Sequence, residues 1–218
     1  MKQKEIFLQS EGDAWHSRNH QALVQRKLPD GDPVLRELLE FLPLNAADEV
    51  KILEIGCGDG TRLAWLSENL NAECYGIEPS PAAVAAACAK GVNAKQGTAD
   101  VLPFENQSFD IVIFGFCLYL CDREDLFRIA SEADRVLRRP GWLMLLDFYS
   151  VVPKAKTYHH RSGVMSYKMD YRTLFTWHPD YECLTQKVRH HSESDYTDER
   201  DEWIAVSVLR KCPQDTNA

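Results

Sequence analysis

No apolar run in this chain of 218 residues approaches the ~20 residues that a bilayer-crossing helix needs, so the sequence predicts no membrane partner. A basic surplus is missing too. Against 33 acidic side chains stand 25 basic ones, a formal net charge of −8, whereas a face that grips phosphates is positive; DNA is disfavoured as a partner. Behind Met1-Lys2-Gln3-Lys4-Glu5 there is neither an apolar core nor a small-residue cleavage site, so no secretory leader is expected. The seven cysteines include no Cys-x-x-Cys pair. Their odd number and lack of pairing spacing argue against both a zinc cluster and a disulfide framework. Several stand inside apolar stretches, as reduced core cysteines do, which implies a reducing, cytoplasmic setting. Internal repeats and low-complexity tracts are also lacking, and the length suits one domain with a cap or insertion.

What is present is an ordinary globular composition, 44% hydrophobic and 27% charged, with a regular pattern from residue 50 onward. A polar stretch from about Gln9 to Asp32 reads as irregular. It leads into an amphipathic helix, Val34 to Leu42, with Leu35, Leu38, Leu39 and Leu42 at helical spacing and Pro43 as a stop. Strand-like runs follow at Val50 to Ile55, Cys74 to Ile77, Val92 to Gln96, Ile111 to Phe114 and Leu143 to Asp147. Helices are expected between them at Arg62 to Leu70, Pro81 to Lys90 and Arg123 to Arg138. The second carries Ser80 as N-cap, Pro81 at its first position and Gly91 just past its end. Such alternation implies an α/β fold with a parallel sheet covered on both faces. Residues 148 to 180, rich in Tyr, His and Trp, read as a loop-and-helix insertion. Tyr181 to Arg189 and Trp203 to Leu209 would form a closing hairpin around the acidic stretch Glu193 to Glu202.

The densest motif is Ile52-Leu53-Glu54-Ile55-Gly56-Cys57-Gly58-Asp59-Gly60, coming off the first strand into a helix. Glycines there allow a tight turn and close approach of a ligand to the main chain, at the sheet edge where open α/β folds bind ligands. The dinucleotide pattern would require glycine where Thr61 stands, and there is no Gly-Lys-Ser/Thr of a phosphate loop. A phosphate-free, cationic ligand suits this loop and its neighbouring carboxylates; a purely structural strand–helix turn would use the same glycines. Gly76-Ile77-Glu78-Pro79-Ser80 puts a carboxylate at the next strand tip, where it can accept both hydroxyls of a ribose or lie solvated on the surface.

In this order the motifs resemble the class I S-adenosylmethionine-dependent methyltransferases of small-molecule type. The matching pieces are the glycine loop, Gly76-Ile77-Glu78, Gly97-Thr98-Ala99-Asp100-Val101-Leu102-Pro103-Phe104, Ser108-Phe109-Asp110-Ile111-Val112 and Arg135-Val136-Leu137-Arg138-Arg139-Pro140-Gly141-Trp142. The resemblance implies a Rossmann-like, seven-stranded, mostly parallel sheet with a C-terminal antiparallel hairpin. It also implies a helical cap or lid over 1–45 and a cofactor-binding domain over 46–218, with 148–180 as an acceptor-side insertion. S-adenosylmethionine would be the cofactor and S-adenosylhomocysteine the product. The loop (Gly56, Cys57, Gly58, Gly60) would hold the methionine portion, Glu54 would orient its ammonium, and Glu78 with Pro79 would take the ribose. Thr98, Ala99 and Asp100 would border the adenine, and Phe116 to Leu118 would line the methyl-transfer side. Where many relatives carry an aspartate this chain has Thr98, which leaves the adenine amino contact to Asp100 or the Thr98 hydroxyl. Arg18, in the cluster Trp15-His16-Ser17-Arg18-Asn19, is a bidentate partner for the cofactor carboxylate or a solvated side chain.

Methyl transfer asks the protein mainly to align, to exclude water and to remove a proton. Phe114-Gly115-Phe116-Cys117 lacks the proline-rich motif of the DNA- and RNA-methylating branch, and no metal site is expected. Tyr158, His159 and His160 are the catalytic candidates, with Tyr167, Tyr171 and His178 behind them. Nothing in the spacing brings His190-His191 near His159-His160. The function expected is methylation of an oxygen or nitrogen on a small molecule, such as a sugar or another biosynthetic intermediate, by a monomer or homodimer. A protein or RNA acceptor, or a non-catalytic partner subunit of the same fold, are the alternatives.

Overall fold

The computed structural model describes residues 2–41, 49–192 and 196–213. Leu42, Pro43 and residues 193–195 of the acidic stretch lie outside the described residues. The chain opens with α1 (Gln3–Ile6), one wide helical turn over Phe7–Glu11, and α2 (Gly12–Gln25). The stretch from Gln9, expected to be irregular, is therefore helical as far as Gln25. Its inward residues include Gly12 and Trp15, which face cavities rather than a core, so it carries no aliphatic stripe. The wide turn also breaks the 3.6-residue period on which such readings depend. In α3 (Pro33–Phe41), Val34, Leu35 and Leu38 are fully buried while Leu39 stays exposed.

Then come β1 (Val50–Ile55), α4 (Thr61–Asn69), β2 (Ala72–Glu78), α5 (Pro81–Ala89), β3 (Asn93–Gln96), β4 (Phe109–Gly115), α6 (Leu126–Val136) and β5 (Leu137–Phe148). The remainder forms β6 (Lys154–Thr157), β7 (Met165–Lys168), α7 (Thr173–Thr176), β8 (Tyr181–His190) and β9 (Trp203–Lys211). Seven strands make one sheet in the order β3-β2-β1-β4-β5-β9-β8. The first five are parallel, and β9 runs antiparallel to both β5 and β8. The alternation predicts the parallel sheet, and the Rossmann-like form with a closing antiparallel pair is what the resemblance implies. The punctuation of α5 is as expected: Ser80 Oγ accepts from the Ala83 N–H at 3.0 Å, and Gly91 turns at φ +82° just past its end.

Two boundaries differ from expectation. The third helix ends at Val136 rather than at Arg138, and β5 begins at once. Phe109 pairs with Leu137 and Ile111 with Trp142, so residues 138–141 bulge from the ladder, a position that tolerates Pro140 without its N–H. The insertion is not only loop and helix, because β6 and β7 form an antiparallel hairpin, Lys154 opposite Lys168 through Thr157 opposite Met165. Its strands are only four residues each and none of their residues is buried, and the hairpin is tied to Asp201, ahead of β9, by Lys154 and Lys156.

Alternation along β1 sends Leu53 and Ile55 into the core under α6 and Ile52 into the core shared with α3 and α4. Glu54 shares the face of Ile52. The neighbours of β1, β2 and β4, lie on opposite sides of it, which makes the carboxyl end of β1 the crevice of the sheet. Among the described residues, no helix is long and apolar enough to cross a membrane.

Candidate active site

Gly56 leaves β1 at φ +76°, and a Cβ on it would stand 2.6 Å from Cys117 Cβ. Only glycine lets the loop after β1 press against the loop after β4. At the end of β4 a Cβ on Gly115 would meet Glu54 Oε1 at 2.5 Å and Arg62 Nη1 at 2.8 Å. Both positions keep the crevice floor open to backbone.

Glu54 brings a carboxylate into the core, and α4 supplies its partner. Arg62 donates to Glu54 and, through Nε, to Asp32 Oδ2 at 3.0 Å, and Arg26 reaches the same Asp32 carboxylate at 2.9 Å. Burial pushes the Glu54 carboxyl up to about 7 against the pull of Arg62. Its second oxygen, Oε2, has no hydrogen-bond partner among the described residues. At the tip of β2, Glu78 accepts from the Gly58 N–H and the Ser80 N–H, each at 3.0 Å. Burial likewise lifts it to about 7, with those two amides opposing. The buried Asp147 also stands at about 7, although the amides of Phe148, Leu118 and Tyr119 hold it.

Two cavities open at this end of the sheet. The first runs past Glu78 and Pro79 to Thr98, Ala99 and Asp100, and the N-terminal segment roofs it with Lys4, Phe7 and Gly12. Thr98 Oγ1 donates to Asp100 Oδ1 at 2.7 Å, and the Lys4 ammonium pairs with the other oxygen. Burial alone would raise the Asp100 carboxyl, but these bonds hold it below the ordinary range. The second cavity is lined by Glu54, Cys57 and Gly58 from the sheet's crevice and by Tyr158, His159, His160, Tyr167, Lys168 and His191 from the later part of the chain. Trp15, Gly56, Gly115 and Phe116 line both. Phe116 sits at φ +53°, a conformation a bulky side chain rarely adopts. Its N–H donates to Leu146 O at 2.8 Å.

Five expected residues line neither cavity: Tyr171 is buried in the core under α6, His178 accepts from the Asp180 N–H at 3.2 Å, and Gly60, Leu118 and Arg18 also lie apart. Gly60 turns at φ +71° and packs against Ala87. Leu118, read as facing the transfer side, is instead fully buried in the core, its N–H donating to Asp147 Oδ2 at 2.8 Å; Phe116 and Cys117 line the site in its stead. Arg18 bonds the buried Glu11 and the Tyr158 hydroxyl, the latter at 3.0 Å. Sequence reasoning passed over Arg26, Asp32, Arg62 and Lys168. It left His191 unconnected to His159-His160, yet all three histidines line the same cavity. His191 packs on Phe116 at 5.6 Å and on Phe148 at 4.9 Å between ring centroids. Among the described residues, no group of His, Cys, Asp or Glu is placed to hold a metal.

Residues 53–145 match the family model described as a methyltransferase domain. The matched segment is less than half of the chain and is similar to methyltransferase domains. The chain is 32% identical over 110 residues to the methyltransferase YcgJ of Bacillus subtilis, 47% of this chain and 42% of that protein. The chain spans less than half the length of the curated relatives it matches first. Its fold resembles that of a methyltransferase of Haloferax volcanii solved with the Trm112 methyltransferase activator (TM-score 0.69, 19% identity, 97% of this chain and 100% of that one). It also resembles the Burkholderia thailandensis 1,6-didemethyltoxoflavin-N1-methyltransferase, solved with its acceptor and S-adenosylhomocysteine (TM-score 0.65, 14% identity, 92% and 87%). Both cavities open at the carboxyl end of β1, within the matched segment, and draw further lining from residues outside it.

Proposed function

We propose that the protein transfers a methyl group from S-adenosylmethionine to an oxygen or nitrogen of a small-molecule acceptor. The observation that carries this reading is the pair of cavities meeting at Gly56, Gly115, Phe116 and Trp15. The residues fit the cofactor. Glu78 is rigidly held to accept two ribose hydroxyls, and the orphaned Oε2 of buried Glu54 suits an ammonium. Pro79, Thr98, Ala99 and Asp100 suit a purine. When bound, the cofactor supplies a methyl carbon already activated by sulfonium.

The chain's own residues then have three tasks. Phe116, Tyr119 and Phe148 hold the acceptor and keep water from it. The N-terminal segment, bonded across the first cavity by Lys4, serves as the lid. A histidine takes the acceptor's proton on a ring nitrogen. His159, His160 and His191 all line the acceptor cavity, but only His191 packs directly on Phe116, which borders the cofactor side. The aromatic walls favour a compact acceptor over a protein or RNA strand.

Calorimetric titration with S-adenosylmethionine and S-adenosylhomocysteine, with NAD as control, tests the reading. Binding of the first two and not of NAD is expected; no binding of either sinks it. Glu78→Ala should weaken both by at least roughly tenfold, the loss of a charge-assisted hydrogen bond, while the circular dichroism spectrum stays unchanged.

A further inference from the structure

The acceptor cavity is uneven in charge. At the cofactor end its carboxylates are all paired: Asp32 with Arg26 and Arg62, Glu54 with Arg62, and Asp59 with Lys90 at 2.6 Å. At the other end Lys168 enters from β7, half-buried, its ammonium 4.6 Å from the centroid of the Phe148 ring. It donates to the Asp201 carbonyl. The Asp201 carboxylate itself is taken by Lys154 at 2.8 Å and Lys156 at 3.2 Å. Among the described residues, no carboxylate forms an ion pair with Lys168. Desolvation lowers its pKa, outweighing Glu202 and Asp201, which attract it without forming an ion pair. A half-buried ammonium without a contacting counter-ion is costly, and a ligand that brings an anion removes that cost.

The surroundings narrow the ligand further. Phe116 and Phe148 stand 5.5 Å apart, and His191 lies 4.9 Å from Phe148 with its ring tilted 36°. Tyr119 closes the group at 4.9 Å from Phe148. Such a wall accepts a flat ring in offset or edge contact. One lysine beside the hydroxyls of Ser166 and Ser192 matches a carboxylate; a phosphate dianion usually draws a bidentate arginine or several cations.

We propose that the acceptor is a planar aromatic or heteroaromatic carboxylic acid. Its carboxylate pairs with Lys168 and its ring lies along Phe116, Phe148 and His191. This rests on the methyl-transfer reading, since it takes the second cavity as the acceptor's. With a net charge of −8 on the chain, the attraction is local to Lys168 and weakens with added salt.

The test is a titration of the protein, alone and saturated with S-adenosylhomocysteine, with hydroxybenzoates and indole carboxylates, their primary amides, and glucuronate as a non-planar acid. At least one aromatic acid should bind about tenfold more tightly than its amide, with glucuronate weaker than that acid. Lys168→Met should bring the acid down to the level of its amide and leave the amide and S-adenosylhomocysteine unaffected. Lys168→Arg should keep the preference. Equal binding of acid and amide in every pair, tighter binding of glucuronate, no measurable binding of any acid, or a preference that survives Lys168→Met overturns the proposal. Failure of S-adenosylhomocysteine to bind is a separate result: it overturns the methyl-transfer reading, and the acid–amide contrast on the protein alone still decides this one.

Discussion

Glu78 combines two demands that pull apart. In the proposed reading it must be ionised to accept two ribose hydroxyls, yet burial holds it at about 7. A bound proton therefore competes with the cofactor, and affinity rises as pH climbs through that value. Between pH 6 and pH 8 the ionised fraction grows roughly tenfold, so the affinity for S-adenosylhomocysteine should rise by a similar factor. Titrations at both pH values check this, and Glu78→Gln should remove the share of Glu78 and leave that of Glu54, which burial also holds at about 7. Of the histidines, His191→Asn should slow single-turnover methyl transfer by roughly a hundredfold, the usual scale of a lost general base, with cofactor binding unchanged. The double change His159→Ala with His160→Ala should slow it less. If the double variant proves the slower, the base belongs to that pair. Glu54, Glu78 and the glycine loop were legible in the sequence because they are contiguous with a strand that announces itself. His191 was not: its role comes from β8 and β9 carrying it against Phe116, a contact between distant parts of the chain that no local spacing encodes.

Among the elements, α4 does more than cover the sheet. By carrying Arg62 it neutralises two buried carboxylates, Asp32 before β1 and Glu54 within it. Removing one partner from such a buried cluster leaves charge with nothing to oppose it. Arg62→Met should therefore cost about 3–5 kcal/mol of stability, read from the shift in urea denaturation midpoint. A cost below about 1 kcal/mol would mean that Arg26 alone suffices for Asp32 and that Glu54 folds in protonated. The elements that sequence patterning missed share one property. α2 turns residues such as Gly12 to a cavity, and the β6 and β7 strands are four residues each, so neither presents the long apolar periodicity that a core imposes. The elements that face the two cores, β1, β4, α3 and α6, were read correctly in kind, β1 to the residue and the others with shifted ends.

On the scale of the whole molecule, the N-terminal segment is stitched down at two separated edges. Lys2 and Lys4 pair with Asp125, and Lys4 also pairs with Asp100, while Asp13 accepts from the Ser80 hydroxyl at 2.5 Å. Cofactor entering or leaving the first cavity has to part some of these bonds. Lys4→Met should raise the dissociation rate of S-adenosylhomocysteine roughly fivefold, the worth of about 1 kcal/mol of partly exposed ion pairing, and salt should do the same to the unaltered protein. Stopped-flow displacement measures both. The partition between the cavities has a wider consequence. Because Phe116 and Trp15 each present a face to both chambers, neither ligand has a wall of its own there. Whatever factor one occupant imposes on the affinity of the other by shifting those rings, the other imposes in return.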